Sequence, residues 1–153
     1  MSTTTERAVW ADLAGPGHAP GLEQIYEGFL LHHGRPRRPP PADGDTLLEG
    51  DEQYAQGLAR VAELNDPEAI AALAELIGLA SRGRAEHGLE TEDFALWAAT
   101  ARFLADRSGR EAYRTALLAL RDERDSSLLE ALVTDLDLSR ERAAHRALAG
   151  AAR

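Results

Sequence analysis

LLEGDEQYAQGLARVAELNDPEAIAALAELI, residues 47–77, decides the fold. Tyr54, Leu58 and Val61 recur at helical spacing as far as Leu64, marking the buried face of an amphipathic helix. Thr46-x-x-Glu49 has the form of a capping box, which places the start of that helix at Thr46. Asn65-Asp66-Pro67 then breaks it and starts another, with Asp66 as N-cap and Pro67 at the first helical position. In the second helix Ile70, Leu73 and Ile77 mark one face, Leu76 and Leu79 a second. A helix apolar on two faces belongs in the centre of a domain. Gly57 and Gly78 lie inside these two helices, each costing about 1 kcal/mol against Ala. Such glycines either let a neighbouring backbone close in or open a ligand groove.

Working outward, Leu22, Ile25, Tyr26, Phe29 and Leu30 give a short amphipathic helix that Gly34 and Pro36 stop. Residues 34–44, with Pro36 and Pro39 to Pro41, read as a stiff, extended connector. Residues 1–20 end in GPGHAP, which cannot continue a helix, and read as a flexible lead-in. On the other side, Gly83 and Gly88 bracket a loop, and a fourth helix begins near Thr91. It carries Phe94, Trp97, Ala101 and Leu104 on one row and Leu96, Thr100 and Phe103 on another, and Gly109 ends it. Tyr113, Leu117 and Leu120 mark a fifth helix; Leu128, Leu129, Leu132, Val133 and Leu136 a sixth. Ser139 caps a last, Ala-rich helix that is expected to fray. No segment alternates as a strand does. The expectation is an all-α fold, a compact bundle of about six helices, with 21–150 as one domain behind a flexible 1–20.

Composition narrows the functions. The net charge of −9 disfavours a nucleic-acid partner, which needs a basic footprint. All 17 basic residues are Arg, so no mechanism that needs a lysine amine applies. The absence of Cys removes disulfides, thiolate nucleophiles and Cys-ligated metals. No apolar run approaches the roughly 18 residues of a membrane span, and the N-terminus has no apolar signal region. A cytoplasmic protein is expected, and its Arg- and Ala-rich composition points to a high-GC bacterial genome.

The cationic concentration lies in His32, His33, Arg35, Arg37 and Arg38. Guanidinium forks suit a diphosphate or an acidic partner surface; the alternative is a solvated loop on a proline stalk. Glu23 and Glu27, one turn apart on the preceding helix, can hold a hard cation by oxygen ligands, or else form a solvated face. Asp122, Glu123 and Asp125 cluster at a helix junction, where capping accounts for Asp125. His18, His87 and His145 are isolated, and no phosphate loop, G-x-S-x-G or HExxH occurs. No metal site and no cofactor are expected.

With these flanks, the 47–77 segment resembles the trans-polyprenyl synthetases, over roughly residues 22–107. That family has a helix opening L-A-G-D with a Gly-Asp-Pro-type break, matched by Leu48-Glu49-Gly50-Asp51 and Asn65-Asp66-Pro67. Glu23-Gln24-Ile25-Tyr26-Glu27 occupies the DDxxD register, and His32-His33-Gly34-Arg35-Pro36 that of RRGxP. Thr91-Glu92-Asp93-Phe94 and Thr100-Ala101-Arg102-Phe103 resemble the family's T-x-E-x-Y and K-T-A-x-L-F segments. The resemblance implies an isoprenoid-synthase-like but truncated bundle. The departures imply lost chemistry: Glu-Gln-Glu replaces the aspartates, His32-His33 the Arg pair, Ala99 the Lys, and no second aspartate-rich motif follows. A metal cluster clamping a diphosphate needs both motifs.

The expected function is therefore that of a non-catalytic helical accessory protein acting through a protein partner, as a homo- or hetero-oligomer. The small, regulatory subunit of a heteromeric polyprenyl diphosphate synthase is one form of it. A general helical assembly module and an isoprenoid- or lipid-tail-binding protein are the alternatives. For the last, an apolar tunnel between the helices at 46–64 and 67–81 is the feature to find.

Overall fold

Helix follows helix with no strand among the described residues, which are 8–40 and 44–150 of a computed structural model. The all-α expectation holds. The helices are α1 (Ala11–Ala14), α2 (Ala19–His33), α3 (Thr46–Ala62) and α4 (Pro67–His87), then α5 (Phe94–Ala105), α6 (Arg110–Glu123), α7 (Ser127–Ala131) and α8 (Ser139–His145). Five are long; α1, α7 and α8 are single turns or little more. None is long and apolar enough to cross a membrane.

Local chemistry sets most boundaries. Asp66 caps α4 as expected, its carboxylate accepting from the Ala69 N–H, with Pro67 first in the helix. The cap of α3 is Asp45, not Thr46: its carboxylate accepts from the Leu47 and Leu48 N–H groups. A carboxylate at that position also favours the positive end of the helix dipole, which explains why it displaces the hydroxyl. Asp125 accepts from the Ser127 N–H at 2.9 Å, but from one residue before the N-cap of α7, which is Ser126.

Further expectations are corrected, among them the cap of α8: Ser139 is its first residue and caps nothing, its N–H and hydroxyl donating to Asp137. Gly83 does not open a loop, for α4 runs through it to His87. The fourth helix starts at Phe94 rather than near Thr91, whose hydroxyl instead donates to the Gly83 and Gly88 carbonyls. The lead-in at 1–20 is not a loose segment where it is described. Val9 and Trp10 are 3% and 0% exposed, and the Glu23 carboxylate accepts both of their N–H groups. Residues 1–7 and 41–43, including Pro41 of the connector, lie outside the described residues.

Trp10 completes the core. Its ring stacks on Trp97 at 6.2 Å between centroids and meets Tyr26 edge-on at 5.6 Å. Phe29, Phe94 and the imidazole of His145 close the same cluster. Fully burying such rings removes the most apolar area per residue, so this cluster dominates the energetics of the fold. The C-terminal end does not fray over the described residues. Ala149 is 0% exposed, and its carbonyl accepts from Arg84 at 2.7 Å.

The α2–α3 pair is antiparallel and closer than side chains normally permit. Gly21 and Gly28 face Gly57 and Gly50, both pairs seven residues apart. A Cβ on Gly28 would lie 2.8 Å from the Gly50 carbonyl oxygen. One on Gly57 would lie 2.8 Å from the Gly21 oxygen and 3.1 Å from the Ile25 nitrogen. Gly57 thus serves backbone approach and opens no groove. Gly78 serves neither role: it is exposed, with nothing within 4 Å of a Cβ there.

Candidate functional site

The basic loop folds back on the helix before it. Arg37 donates from Nε to Glu27 at 2.8 Å, from Nη1 to Glu23, and from Nη2 to the Glu23 carbonyl at 2.9 Å. Its guanidinium also lies 5.1 Å above the Tyr26 ring, a cation–π distance. Burial works against the Arg37 charge, but Glu23 and then Glu27 outweigh it and hold its proton more tightly than usual. Glu27 also accepts the Arg37 and Arg38 N–H groups. Neither earlier account of Glu23 and Glu27 survives. They are not a solvated face, and their oxygens are engaged by a cation from the same chain.

The other loop candidates divide. His32 donates from Nε2 to Asp51 at 3.0 Å and stacks on Tyr54 at 5.3 Å, joining α2 to α3. His33 packs against Phe29 at 5.2 Å. Arg35 and Arg38 are exposed, and the Arg35 N–H donates to the Leu148 carbonyl at 2.8 Å. The loop is a clasp between α2 and the C-terminal segment, with two outward guanidinium groups.

A second polar constellation lies wholly inside. Arg84 grips Asp93 with Nε and Nη2 at 3.0 and 3.1 Å. Asp93 also receives His145 Nε2 at 2.8 Å, and His145 Nδ1 meets the Tyr26 hydroxyl at 2.7 Å. A carboxylate only accepts, so Nε2 carries hydrogen and donates to Asp93, while Nδ1 is left to the Tyr26 hydroxyl. All four side chains are buried, Tyr26 completely. Burial pushes the Tyr26 hydroxyl far above the usual phenol range, Arg37 opposing it only in part. The array has the donors of a proton relay, but its buried atoms make it a fastener for α8.

Ion pairs predict the acid limb of stability. Burial opposes the charge on Asp93, yet His145 and Arg84 outweigh it and hold its carboxyl below the ordinary range. Arg107 holds Asp66 well below that range, and Arg110 with Arg107 brings Glu68 down to about 2. Each group binds its proton more weakly folded than unfolded. Their contribution is therefore full above the ordinary carboxylate pKa of about 4 and is lost as pH falls through the depressed values. Urea midpoints are expected to hold steady down to about pH 5, then fall continuously toward about pH 2. A midpoint unchanged across that range would contradict the pairing.

The open feature lies elsewhere, between α4 and α6. A groove of about 280 Å³ has Ala72, Phe103, Tyr113 and Leu117 at its floor. Leu118 stands at its lip, 46% exposed, and extends the apolar floor toward solvent. Glu68 and Glu75 form the α4 wall, Arg114 and Arg121 the α6 wall. The walls pair across the groove, Glu68 with Arg114 at 3.1 Å and Glu75 with Arg121 at 3.6 Å. A second, more polar depression of about 300 Å³ lies at the far end of the same helices, rimmed by Arg82, Glu86, Glu90 and Arg124.

None of the groove residues was among the sequence candidates. The signal was present in the pair Leu117-Leu118, of which one helix face can bury only the first. The expected tunnel between α3 and α4 is not where this groove lies, and Gly57 faces α2. Comparison with protein-family models, with curated proteins and with solved structures returned no match.

Proposed function

We propose that the chain is a non-catalytic helical module that works by docking a protein partner on the α4–α6 groove. The observation that carries this reading is Leu118, held half-exposed beside an apolar floor and between two charged walls. An apolar centre with a polar rim is the usual anatomy of a docking surface. The charged groups named from the sequence support the same reading from the other side. Glu23, Glu27 and Arg37 answer one another, which leaves the groove as the more available surface.

The finer role, that of a small subunit in a polyprenyl diphosphate synthase, rests on the sequence resemblance alone. Its diphosphate half gains no support from Glu23 and Glu27, whose oxygens hold Arg37. Leu118→Asp is the test. Affinity-tagged wild-type chain from its native host should retain a partner that the variant loses by about tenfold, as expected for truncating an apolar anchor. The variant should stay folded with a melting temperature only slightly lowered, because Leu118 is half-exposed. Equal retention by both proteins would overturn the groove as the docking surface. Titration with farnesol is the control for an isoprenoid tail: saturable shifts in the α4 and α6 amides would replace the protein partner with a lipid.

A further inference from the structure

We infer that the occupant of the groove is a second copy of this chain, docked about a two-fold axis along the groove. This rests on the docking reading above and adds the identity of the partner. The argument is one of charge and direction. Glu68–Arg114, Glu75–Arg121 and Glu86–Arg124 succeed one another in the same order on both helices, so α4 and α6 run parallel. The α4 wall carries its two carboxylates seven residues apart, and the α6 wall its two guanidinium groups seven apart. At 1.5 Å per residue both spacings are about 10 Å.

A two-fold axis along the groove exchanges left and right but keeps height. It sets the acidic wall of one copy against the basic wall of the other. Because each intramolecular pair lies level across the groove, the two copies then meet in register. Arg114 faces its own Glu68 and that of the second copy; Arg121 faces two Glu75 carboxylates in the same way. An alternating four-charge ring results at the Glu75 level and a larger one about 10 Å away at the Glu68 level, where Arg107 and Arg110 also bind the carboxylate, with the Leu118 side chains and both apolar floors between them. An axis across the groove sets acid against acid and is rejected by repulsion. The surface is thus self-complementary, as an isologous interface must be.

The occupied arrangement is cheap to reach. Arg114 is 61% exposed and Arg121 47%, and pairs so exposed contribute little alone. Sharing each guanidinium between two carboxylates therefore disrupts nothing of consequence, while Leu118 leaves water.

Sedimentation of the full chain over a range of concentrations tests this. Wild type is expected to form dimers. Arg121→Glu makes both walls acidic at the Glu75 level and should weaken self-association by about tenfold, by like-charge opposition. Glu75→Arg makes both walls basic there and should do the same, while Glu68 keeps its bonds to Arg107 and Arg110. Mixing the two variants should restore a heterodimer. The chain carrying both substitutions regains its internal pair and its self-complementarity. It should dimerise with itself more tightly than with wild type, which separates charge matching from any loss of fold. A wild-type chain that stays monomeric overturns the inference, as do reversal variants that dimerise as tightly as wild type. Should wild type be monomeric while Leu118→Asp still loses a different protein, the docking reading stands and only the second copy is wrong.

Discussion

Asp93→Ala is expected to lower the unfolding free energy by about 3–5 kcal/mol, since it strands a buried charge on Arg84. Among the described residues Asp93 is the carboxylate that pairs with that guanidinium, and both side chains are under 5% exposed. The same substitution removes the acceptor of His145 Nε2, and with it the bond that seats α8. Against a typical total of about 5–15 kcal/mol this is a large fraction. Urea unfolding followed by circular dichroism measures it. The paired replacement of Asp93→Leu with Arg84→Met should cost less than Asp93→Ala alone, because it removes the charge along with its partner. A loss below about 1 kcal/mol for Asp93→Ala, the range of exposed pairs, would show that water reaches Arg84.

Two alanine substitutions in successive helices should move stability in opposite directions. Gly57→Ala places a methyl group 2.8 Å from the Gly21 carbonyl oxygen and 2.6 Å from Ile25 Cγ1. Backbone atoms cannot step aside, so α2 and α3 must part. The expected loss is about 2 kcal/mol, the overpacking cost less the gain in helix propensity. Gly78→Ala meets nothing within 4 Å and should stabilise by about 1 kcal/mol from propensity alone. Thermal unfolding of the two variants beside wild type gives the comparison. If both substitutions stabilise, the close approach of α2 and α3 is wrong.

These variants mark how far the sequence could be read. Helix type and order were legible because period and caps are local: Asp66-Pro67 announces α4, and Leu22 to Leu30 announces α2. The close approach at Gly57 was legible as one of two options, since an interior glycine must repay its cost somewhere. Gly78 showed the same residue in the same context with another answer, which only the neighbouring helix decides. The N-terminal segment was misread because GPGHAP is a true break, and nothing local reveals that Trp10, before it, finds a cavity beside Trp97. The site was less legible still. Arg37 was singled out as a cation, but its partners ten and fourteen residues back depend on how the proline connector turns. His145 looked isolated because Asp93 and Tyr26 lie 52 and 119 positions away in the chain. Leu118 was hidden inside an ordinary amphipathic repeat.

The bond between Tyr26 and His145 also has a consequence for synthesis. Ribosomes add about 5–20 residues per second, so Tyr26 precedes His145 by roughly 6–24 s. Isolated helices and local pairs such as α2 with α3 form far faster than that. Between the addition of Trp97 and that of His145, about 2–10 s at those rates, the nascent chain therefore holds a helical hairpin beside an aromatic cleft still waiting for its imidazole. The exposure of that cleft to aggregation is timed by the speed of elongation, not by the speed of folding.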